Sequence, residues 1–173
     1  RNTNINFGKI GTFVSFPELK SIMEKVWQCN PQSIREIIYT QNKFNLQELY
    51  KDFPKYKEII GSGGKDKRFR QIIMERLDVF TESPKNKDDI RTLGLINRKR
   101  VYRYIPRKYV ESEDWLDKYK VFVPFSNGAS GTLGREPARL ISTPVLGKPG
   151  DGMTQTFIGI GSYSTEIEGR NLL

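Results

Sequence analysis

Residues 92–108 read TLGLINRKRVYRYIPRK, and this stretch decides the fold of the second half of the chain. Residues 92–96 and 100–105 are rich in branched and aromatic side chains, which are typical of strands. The polar residues between them, 97–99, supply a turn. The sequence therefore predicts a β-hairpin here.

The same stretch is strongly basic, because residues 98–108 hold six lysines and arginines together with two tyrosines. The period of two in a strand places Arg100, Tyr102 and Tyr104 on one face and Val101, Arg103 and Ile105 on the other. Cations beside aromatic rings suit a polyanion whose bases offer flat faces and hydrogen-bonding edges. The alternative interpretation is a solvated edge strand whose charges discourage aggregation.

The elements around the hairpin predict an α+β fold, with helices first and strands second. Apolar spacing predicts helices that begin at Pro17 and Asn45 and a third helix over residues 69–80. The apolar stripe of the first helix is expected to pack in a core. Further strands are expected at residues 119–124, 141–146 and 154–160. We therefore divide the chain into a mostly helical part, residues 1–91, and a β-rich part, residues 92–173.

The last residues carry the start of a helix. Thr165 and Glu168 stand at capping-box spacing, and only five residues follow Glu168. A helix shorter than about 12 residues is marginal without tertiary support. The first residues, RNTN, contain neither an initiator methionine nor an apolar signal segment. We therefore expect this sequence to be a fragment of a longer chain, truncated inside a C-terminal helix.

The composition favours an anionic partner and limits the chemistry that the chain can perform. Its 173 residues carry a net charge of +9, which favours binding to phosphates. The sequence has no histidine and a single cysteine, Cys29, so Ser-His-Asp, Cys-His and structural zinc sites are excluded. One cysteine fits a reducing, cytoplasmic compartment, and no apolar run reaches the ~20 residues needed to cross a membrane.

Three short motifs fall short of the signatures that they resemble. The acid-x-Lys at residues 18–20 has no acid upstream, so it does not form a nuclease pattern. Residues 61–65, GSGGK, are not a phosphate loop because Ile59 and Asp66 occupy the positions of its first glycine and its Ser/Thr. Residues 30–33, NPQS, lack the second proline and the aromatic of the tetrad with which DNA amino-methyltransferases hold a flipped base. We therefore expect no catalytic residue in this segment.

A second basic cluster precedes the helix predicted at residues 69–80. Positive side chains at the start of a helix oppose its dipole, at a cost of roughly a few tenths of a kcal/mol each. A phosphate bound at the helix start would compensate for them, whereas an ordinary cap by Asp66 is the alternative. The members of the cluster are Lys65, Lys67, Arg68 and Arg70.

An ordered set of motifs in the second half resembles a known family. The set comprises KYKVFVP at residues 118–124, glycines at 128 and 131, STPVLGKP at 142–149, TQTF at 154–157, and IGSY at 160–163 followed by Thr165 and Glu166. It resembles the C-terminal target-recognition region of bacterial restriction–modification DNA adenine methyltransferases. The type II enzymes that join methylation and specificity on one chain, sometimes with cleavage, are the most similar. The resemblance covers residues 92–173 and extends loosely to QNKF at residues 41–44.

The resemblance implies a recognition module cut from an enzyme. The methyl-donor site and the Asn-Pro-Pro-aromatic tetrad of the family belong upstream, and the basic, aromatic helix expected after Leu173 is not in this sequence. S-adenosylmethionine is therefore expected as a cofactor of the parent enzyme, with no cofactor in this segment. The implied partners are double-stranded DNA and the catalytic methyltransferase domain upstream in the same chain.

Our hypothesis is a DNA target-recognition domain that grips phosphates with basic clusters and reads base edges from loops. The predicted phosphate contacts are Lys65, Lys67, Arg68, Arg70, Arg98, Lys99, Arg100, Arg103, Arg107 and Lys108. The residues predicted to read or stack on bases are Gln41, Asn42, Lys43, Tyr102, Tyr104, Asn127 and Gln155. The alternatives are the same module in a restriction endonuclease or translocase, an RNA-binding module, and a protein-interaction domain with an acidic partner.

Overall fold

The computed structural model describes residues 17–30, 33–61, 66–125 and 143–173. The chain divides into two units, Arg1–Ile34 and Arg35–Leu173. The first unit contains helix α1 (Pro17–Gln28), which begins at the predicted proline. Its apolar stripe is exposed at Ile22, Val26 and Trp27, so the expectation that this stripe packs in a core is wrong.

The second unit contains the remaining described helices, and local capping explains where two of them begin. The helices are α2 (Leu46–Asp52), α3 (Tyr56–Ile60), α4 (Gln71–Arg76) and α5 (Glu166–Asn171), with a short 3-10 turn at Arg107–Tyr109. A further 3-10 turn, Ile34–Ile37, begins at the last residue of the first unit. The Asn45 side chain accepts a hydrogen bond from the Glu48 amide at the start of α2. At the start of α5, Thr165 and Glu168 form the predicted capping box.

Helix α4 is shorter than the helix predicted over residues 69–80. The backbone is extended at Arg70 and again at Leu77, which confines the helix to the residues between them. Phe69 and Phe80 are nevertheless buried, with ring centroids 5.4 Å apart. The apolar spacing that predicted a longer helix therefore comes partly from loop residues that pack into the same core.

The described strands form two sheets. They are β1 (Ile38–Tyr39), β2 (Ile90–Ile96), β3 (Lys99–Ile105), β4 (Tyr119–Pro124), β5 (Val145–Gly147), β6 (Asp151–Met153) and β7 (Phe157–Tyr163). The first sheet has the order β3-β2-β6 and the second the order β1-β7-β4-β5. The strand predicted at residues 119–124 is confirmed, the one predicted at 154–160 is shifted, and β6 was not predicted. Of the strand predicted at 141–146, residues 141 and 142 lie outside the described residues, and β5 overlaps the rest of it at Val145 and Leu146.

The predicted hairpin is confirmed as β2 and β3, which pair antiparallel from Ile90 opposite Ile105 to Ile96 opposite Lys99. Its turn is one residue shorter than predicted and consists of Asn97 and Arg98. Both residues have positive φ, 50° and 63°. A two-residue turn needs positive φ at both residues if its twist is to match the twist of the two strands.

The three-stranded sheet has a hydrophobic cluster on each face. Ile90 and Ile105 belong to a cluster with side chains of α2, α3 and α4. Leu93 and Met153 belong to a second cluster with Phe122 of the four-stranded sheet. The alternation of residues along β2 therefore turns one face towards the helices and the other towards the second sheet.

The predicted α+β class is confirmed. Four of the five described α-helices precede β2, and six of the seven described strands follow α4, mostly in antiparallel pairs and without the regular winding of a parallel α/β fold. Among the helices of the described ranges, none combines the length and apolar content needed to cross a membrane.

Candidate nucleic-acid interface

The parallel pairing of β2 and β6 brings two groups of residues that were predicted to contact DNA to one edge of the three-stranded sheet. Arg91 pairs with Asp151 and Leu93 with Met153. Because the two strands are parallel, the basic turn after β2 and the loop after β6 lie towards the same end of the sheet, with β2 running three residues beyond Leu93. The turn and the start of β3 carry three successive cations at residues 98–100, all exposed.

The loop after β6 connects this turn to the second basic cluster. The Arg100 guanidinium lies 5.7 Å from the ring centroid of Phe157, two residues beyond Gln155. The Gln155 amide donates to the Phe69 carbonyl at 3.0 Å, and the Gln155 Oε1 atom accepts from the Gln71 amide at 2.9 Å. The predicted phosphate site at the helix start therefore has one of its amide donors occupied by Gln155.

Arg70 lies directly before this helix, and its Nε atom is buried without a hydrogen-bond partner in the described part of the chain. A buried donor of this kind usually finds a partner, since leaving it unsatisfied costs about 1–3 kcal/mol. An acceptor brought by a ligand is one way to satisfy it.

Three short segments form a ribbon beside the α4 start. Lys43 pairs with Arg68 on one side, and Phe44 pairs with Val110 on the other. The Glu111 amide donates to the Lys43 carbonyl at 2.9 Å. Phe44 and Val110 are buried in the core, so the alternation of the ribbon turns Lys43, Arg68 and Glu111 outward.

Two ion pairs hold the outer face of this ribbon. The Lys67 Nζ atom lies 2.8 Å from Glu111 Oε1, and the Lys43 Nζ atom lies 3.4 Å from Glu113 Oε1. Glu113 Oε2 also accepts from the Asn42 amide nitrogen at 3.3 Å. Burial raises the pKa of the Glu113 carboxyl, and the charge of Lys43 opposes that rise.

Together these contacts assemble a mixed-charge surface from five segments that are distant in sequence. We call it the carboxyl edge, because it lies where β2 and β6 end. It consists of Lys43, Lys67, Arg68, Arg70, Arg98, Lys99, Arg100, Glu111, Glu113 and Gln155. Its cations outnumber its carboxylates, and its amide and carboxylate groups add hydrogen-bonding capacity that a simple positive patch lacks.

Three predicted phosphate contacts do not belong to the carboxyl edge, because each is paired with an acid outside it. Arg103 is on the face of β3 opposite to Arg100 and pairs with Glu82 at 3.0 Å. Arg107 and Lys108 follow the other end of the seven-residue strand β3, roughly 20 Å from its start at about 3.4 Å per residue. They pair with Asp117 and Asp52, each at 2.6 Å. The basic run of the sequence therefore does not form one continuous patch.

Two residues predicted to read bases are buried in the protein. Asn42 is fully buried, and its Oδ1 atom accepts from the Met153 amide at 2.8 Å. The Asn42 Nδ2 atom donates to Glu113 Oε2, so both ends of the side-chain amide are hydrogen-bonded within the protein. Gln41 is only 9% exposed. Asn42 joins the ribbon to β6, so neither residue is included in the carboxyl edge.

The two hairpin tyrosines are half-buried, and Tyr102 packs against the cluster between the sheets. The Arg91 guanidinium stacks 4.4 Å from the Tyr102 ring centroid and forms a bidentate pair with Asp151. Burial raises the pKa of the Tyr102 hydroxyl. These contacts give Tyr102 a packing role within the protein. Two other predicted residues, Lys65 and Asn127, lie outside the described residues.

The sequence interpretation missed the acids of the carboxyl edge. Glu111 and Glu113 follow the basic run after a gap of a few residues, and only the ribbon pairing brings them beside Lys67 and Lys43. The signal that could have indicated them is a pair of acids at i and i+2. That spacing puts both on one side of an extended segment.

A further unpredicted feature is a fully buried lysine, Lys120 of β4. Its Nζ atom donates to the carbonyls of Leu116 and Lys148, at 2.7 and 3.0 Å. Burial lowers its pKa from 10.5 to about 7. Between these two values the unfolded chain holds a proton that the folded chain lacks, so the free energy of unfolding rises with pH across this window.

Comparison with known protein-family models, with curated proteins and with solved structures found no significant match to this chain.

Proposed function

We propose that this chain binds duplex DNA through its carboxyl edge and serves as a target-recognition module. The observation that supports this most directly is the convergence of cations from residues 43, 67–70 and 98–100 with Gln155 at one edge of a sheet. Clusters of this kind neutralise phosphates and release their condensed counterions. The neighbouring amide and carboxylate groups are the kinds of side chain that read base edges.

Part of the carboxyl edge is well suited to phosphates. Arg68, Arg98 and Lys99 are exposed, and none of them has an ion-pair partner among the described residues. A phosphate can therefore approach them without displacing a carboxylate. By contrast, Arg107 and Lys108 would first have to leave Asp117 and Asp52.

The backbone of Arg98 gives independent support. Its φ of 63° lies in the left-handed region, where the turn would favour glycine. The arginine therefore carries a conformational cost at the tip of the hairpin. A role for its positive charge in binding DNA supplies a reason for that cost.

A more specific proposal, about the parent enzyme, follows from the sequence resemblance. We propose that the parent enzyme is an adenine-specific DNA methyltransferase of a restriction–modification system, with its catalytic domain upstream and S-adenosylmethionine as its cofactor. In this arrangement the module supplies sequence recognition and the upstream domain supplies chemistry. The same module in a restriction endonuclease or a translocase is the second candidate, since the recognition surface would be alike.

The experiment that tests DNA binding is a fluorescence-anisotropy titration of the whole chain with a random-sequence duplex over a salt series. Four phosphate contacts, by Arg68, Arg70, Arg98 and Lys99, predict that log K falls with log salt with a slope of about −3.6. Structured RNA of equal charge serves as the competitor. Preference for the duplex supports the proposal, preference for RNA replaces it with RNA binding, and absence of binding to either leaves the protein-interaction alternative.

A further inference from the structure

Helix α1 carries an apolar stripe that the proposed function does not use. The stripe residues Ile22, Val26 and Trp27 are 56%, 49% and 43% exposed, and they lie along one side of the helix. The helix has 12 residues, a length at which an isolated helix is marginal in water. A partner that covers the stripe would bury its apolar surface and supply the support that the helix needs.

The charged residues beside the stripe are balanced. Lys20 and Glu24 lie on one flank, where the Lys20 Nζ and Glu24 Oε1 atoms are 3.9 Å apart. Glu18 and Lys25 are separated by close to two helical turns, so they lie together on the other flank. Helix α1 is therefore neutral, although the whole chain carries a net charge of +9. Such a helix is a poor match for a polyanion or an anionic lipid surface, because both attract an excess of cations.

A second copy of α1 has the shape and charges that fit this surface. When two helices pack antiparallel about a two-fold axis, the axis keeps each flank on the same side of the pair, so each flank meets its own copy. If the axis passes between Ile22 and Met23, Lys20 is offset from Glu24 of the second copy by one residue, about 1.5 Å along the helix. The acid and the lysine of the other flank are offset by two residues, about 3 Å. Acid–lysine pairs therefore border the packed stripes on both sides, and the antiparallel helix dipoles also attract.

We infer that α1 is a dimerisation helix, whose apolar stripe packs antiparallel on α1 of a second copy of this chain and whose flanks pair acid with lysine across the two-fold axis. This inference does not depend on DNA binding. The 12 residues of α1 span about 18 Å, which makes a small interface. Trp27 supplies the kind of large apolar anchor that dominates such interfaces. The dimer should therefore dissociate in the micromolar range.

Sedimentation velocity of the whole chain between about 1 and about 200 μM tests the inference. The wild-type chain should convert from monomer to dimer across this range. An acidic variant, Lys20→Glu with Lys25→Glu, brings like charges together on both flanks, and so does a basic variant, Glu18→Lys with Glu24→Lys. Each variant alone should dimerise at least about tenfold more weakly, whereas an equimolar mixture of the two should restore a dimer of wild-type affinity.

The matched control is Lys85→Glu with Lys87→Glu, because both lysines are exposed outside α1 and the charge change equals that of the acidic variant. This control should dimerise like the wild-type chain, whereas Val26→Asp, which puts a charge into the stripe, should stay monomeric. Far-UV circular dichroism establishes that each variant is folded. A wild-type chain that stays monomeric overturns the inference, and so does a mixture of the acidic and basic variants that forms no dimer. Co-sedimentation of a monomeric chain with phosphatidylglycerol vesicles would assign the stripe to a membrane surface instead.

Discussion

Replacing Arg98 by glycine should make the protein more stable and at the same time weaken its binding to DNA. Arg98 has a φ of 63° at the second position of the hairpin turn. A left-handed conformation costs a non-glycine residue about 1–2 kcal/mol, and the greater freedom of glycine in the unfolded chain offsets roughly 0.5–1 kcal/mol of the gain. The net increase in the free energy of unfolding should be about 0.5–1 kcal/mol. For a chain of this length this increase corresponds to about 1–4 °C in Tm.

The same substitution removes one cation from the carboxyl edge. Loss of one phosphate contact reduces the salt slope by about 0.9, which is about an eightfold loss of affinity at 0.1 M salt that vanishes near 1 M. Differential scanning fluorimetry measures the first effect, and anisotropy over a salt series measures the second. Arg98→Lys is the control, since it keeps both the charge and the conformational cost. A stabilised glycine variant that binds DNA as tightly as the wild-type chain would refute the assignment of Arg98 to the interface.

Two further predictions concern the core. Lys120→Met should remove the pH dependence that the lowered pKa of about 7 imposes, so the stability difference between variant and wild type should change by about 1.4 kcal/mol per pH unit between pH 7 and 9. Urea denaturation at several pH values measures this, and a constant difference would contradict it. Gly152→Ala should cost about 1–3 kcal/mol by overpacking, because a Cβ atom there overlaps the side-chain amide of Asn42, which hydrogen bonds with Met153 and Glu113 hold in place. Gly94→Ala is the control, since a Cβ atom there overlaps only the movable end of Met74, and equal stability of the two variants would contradict the expected loss.

The hairpin could be predicted from sequence because its determinants are local. Branched and aromatic residues flank a polar turn, and the register of β2 with β3 follows from the length of that turn. The helix starts at Pro17, Asn45 and Thr165 are likewise set by nearby residues. These features need no knowledge of distant contacts.

The position of the carboxyl edge could not be predicted, because it depends on pairings between distant segments. Strand β6 has only three residues, one of them a glycine, and it joins the sheet through Arg91 and Asp151. Its parallel pairing with β2 decides which end of the hairpin meets Gln155. The sequence indicated most of the cations of the interface but gave no reason to separate Arg98 from Arg107.

The burial of polar side chains could not be predicted from the sequence either. Asn42 looks like a loop residue available to a ligand, yet the loop is closed by hydrogen bonds to β6 and to Phe69. Lys120 stands in an alternating strand pattern that does not distinguish a buried lysine from an exposed one. In both cases the backbone groups that satisfy the side chain come from elsewhere in the fold.

The central claim is that the exposed cations of the carboxyl edge, and not the paired cations that follow β3, bind duplex DNA. The most direct measurement compares two double variants that each remove one arginine and one lysine, Arg68→Gln with Lys99→Gln and Arg107→Gln with Lys108→Gln, by the salt dependence of binding to a random-sequence duplex. The first pair should flatten the slope of log K by about 1.8, and the second should leave it unchanged. Equal slopes for the two double variants would contradict the account.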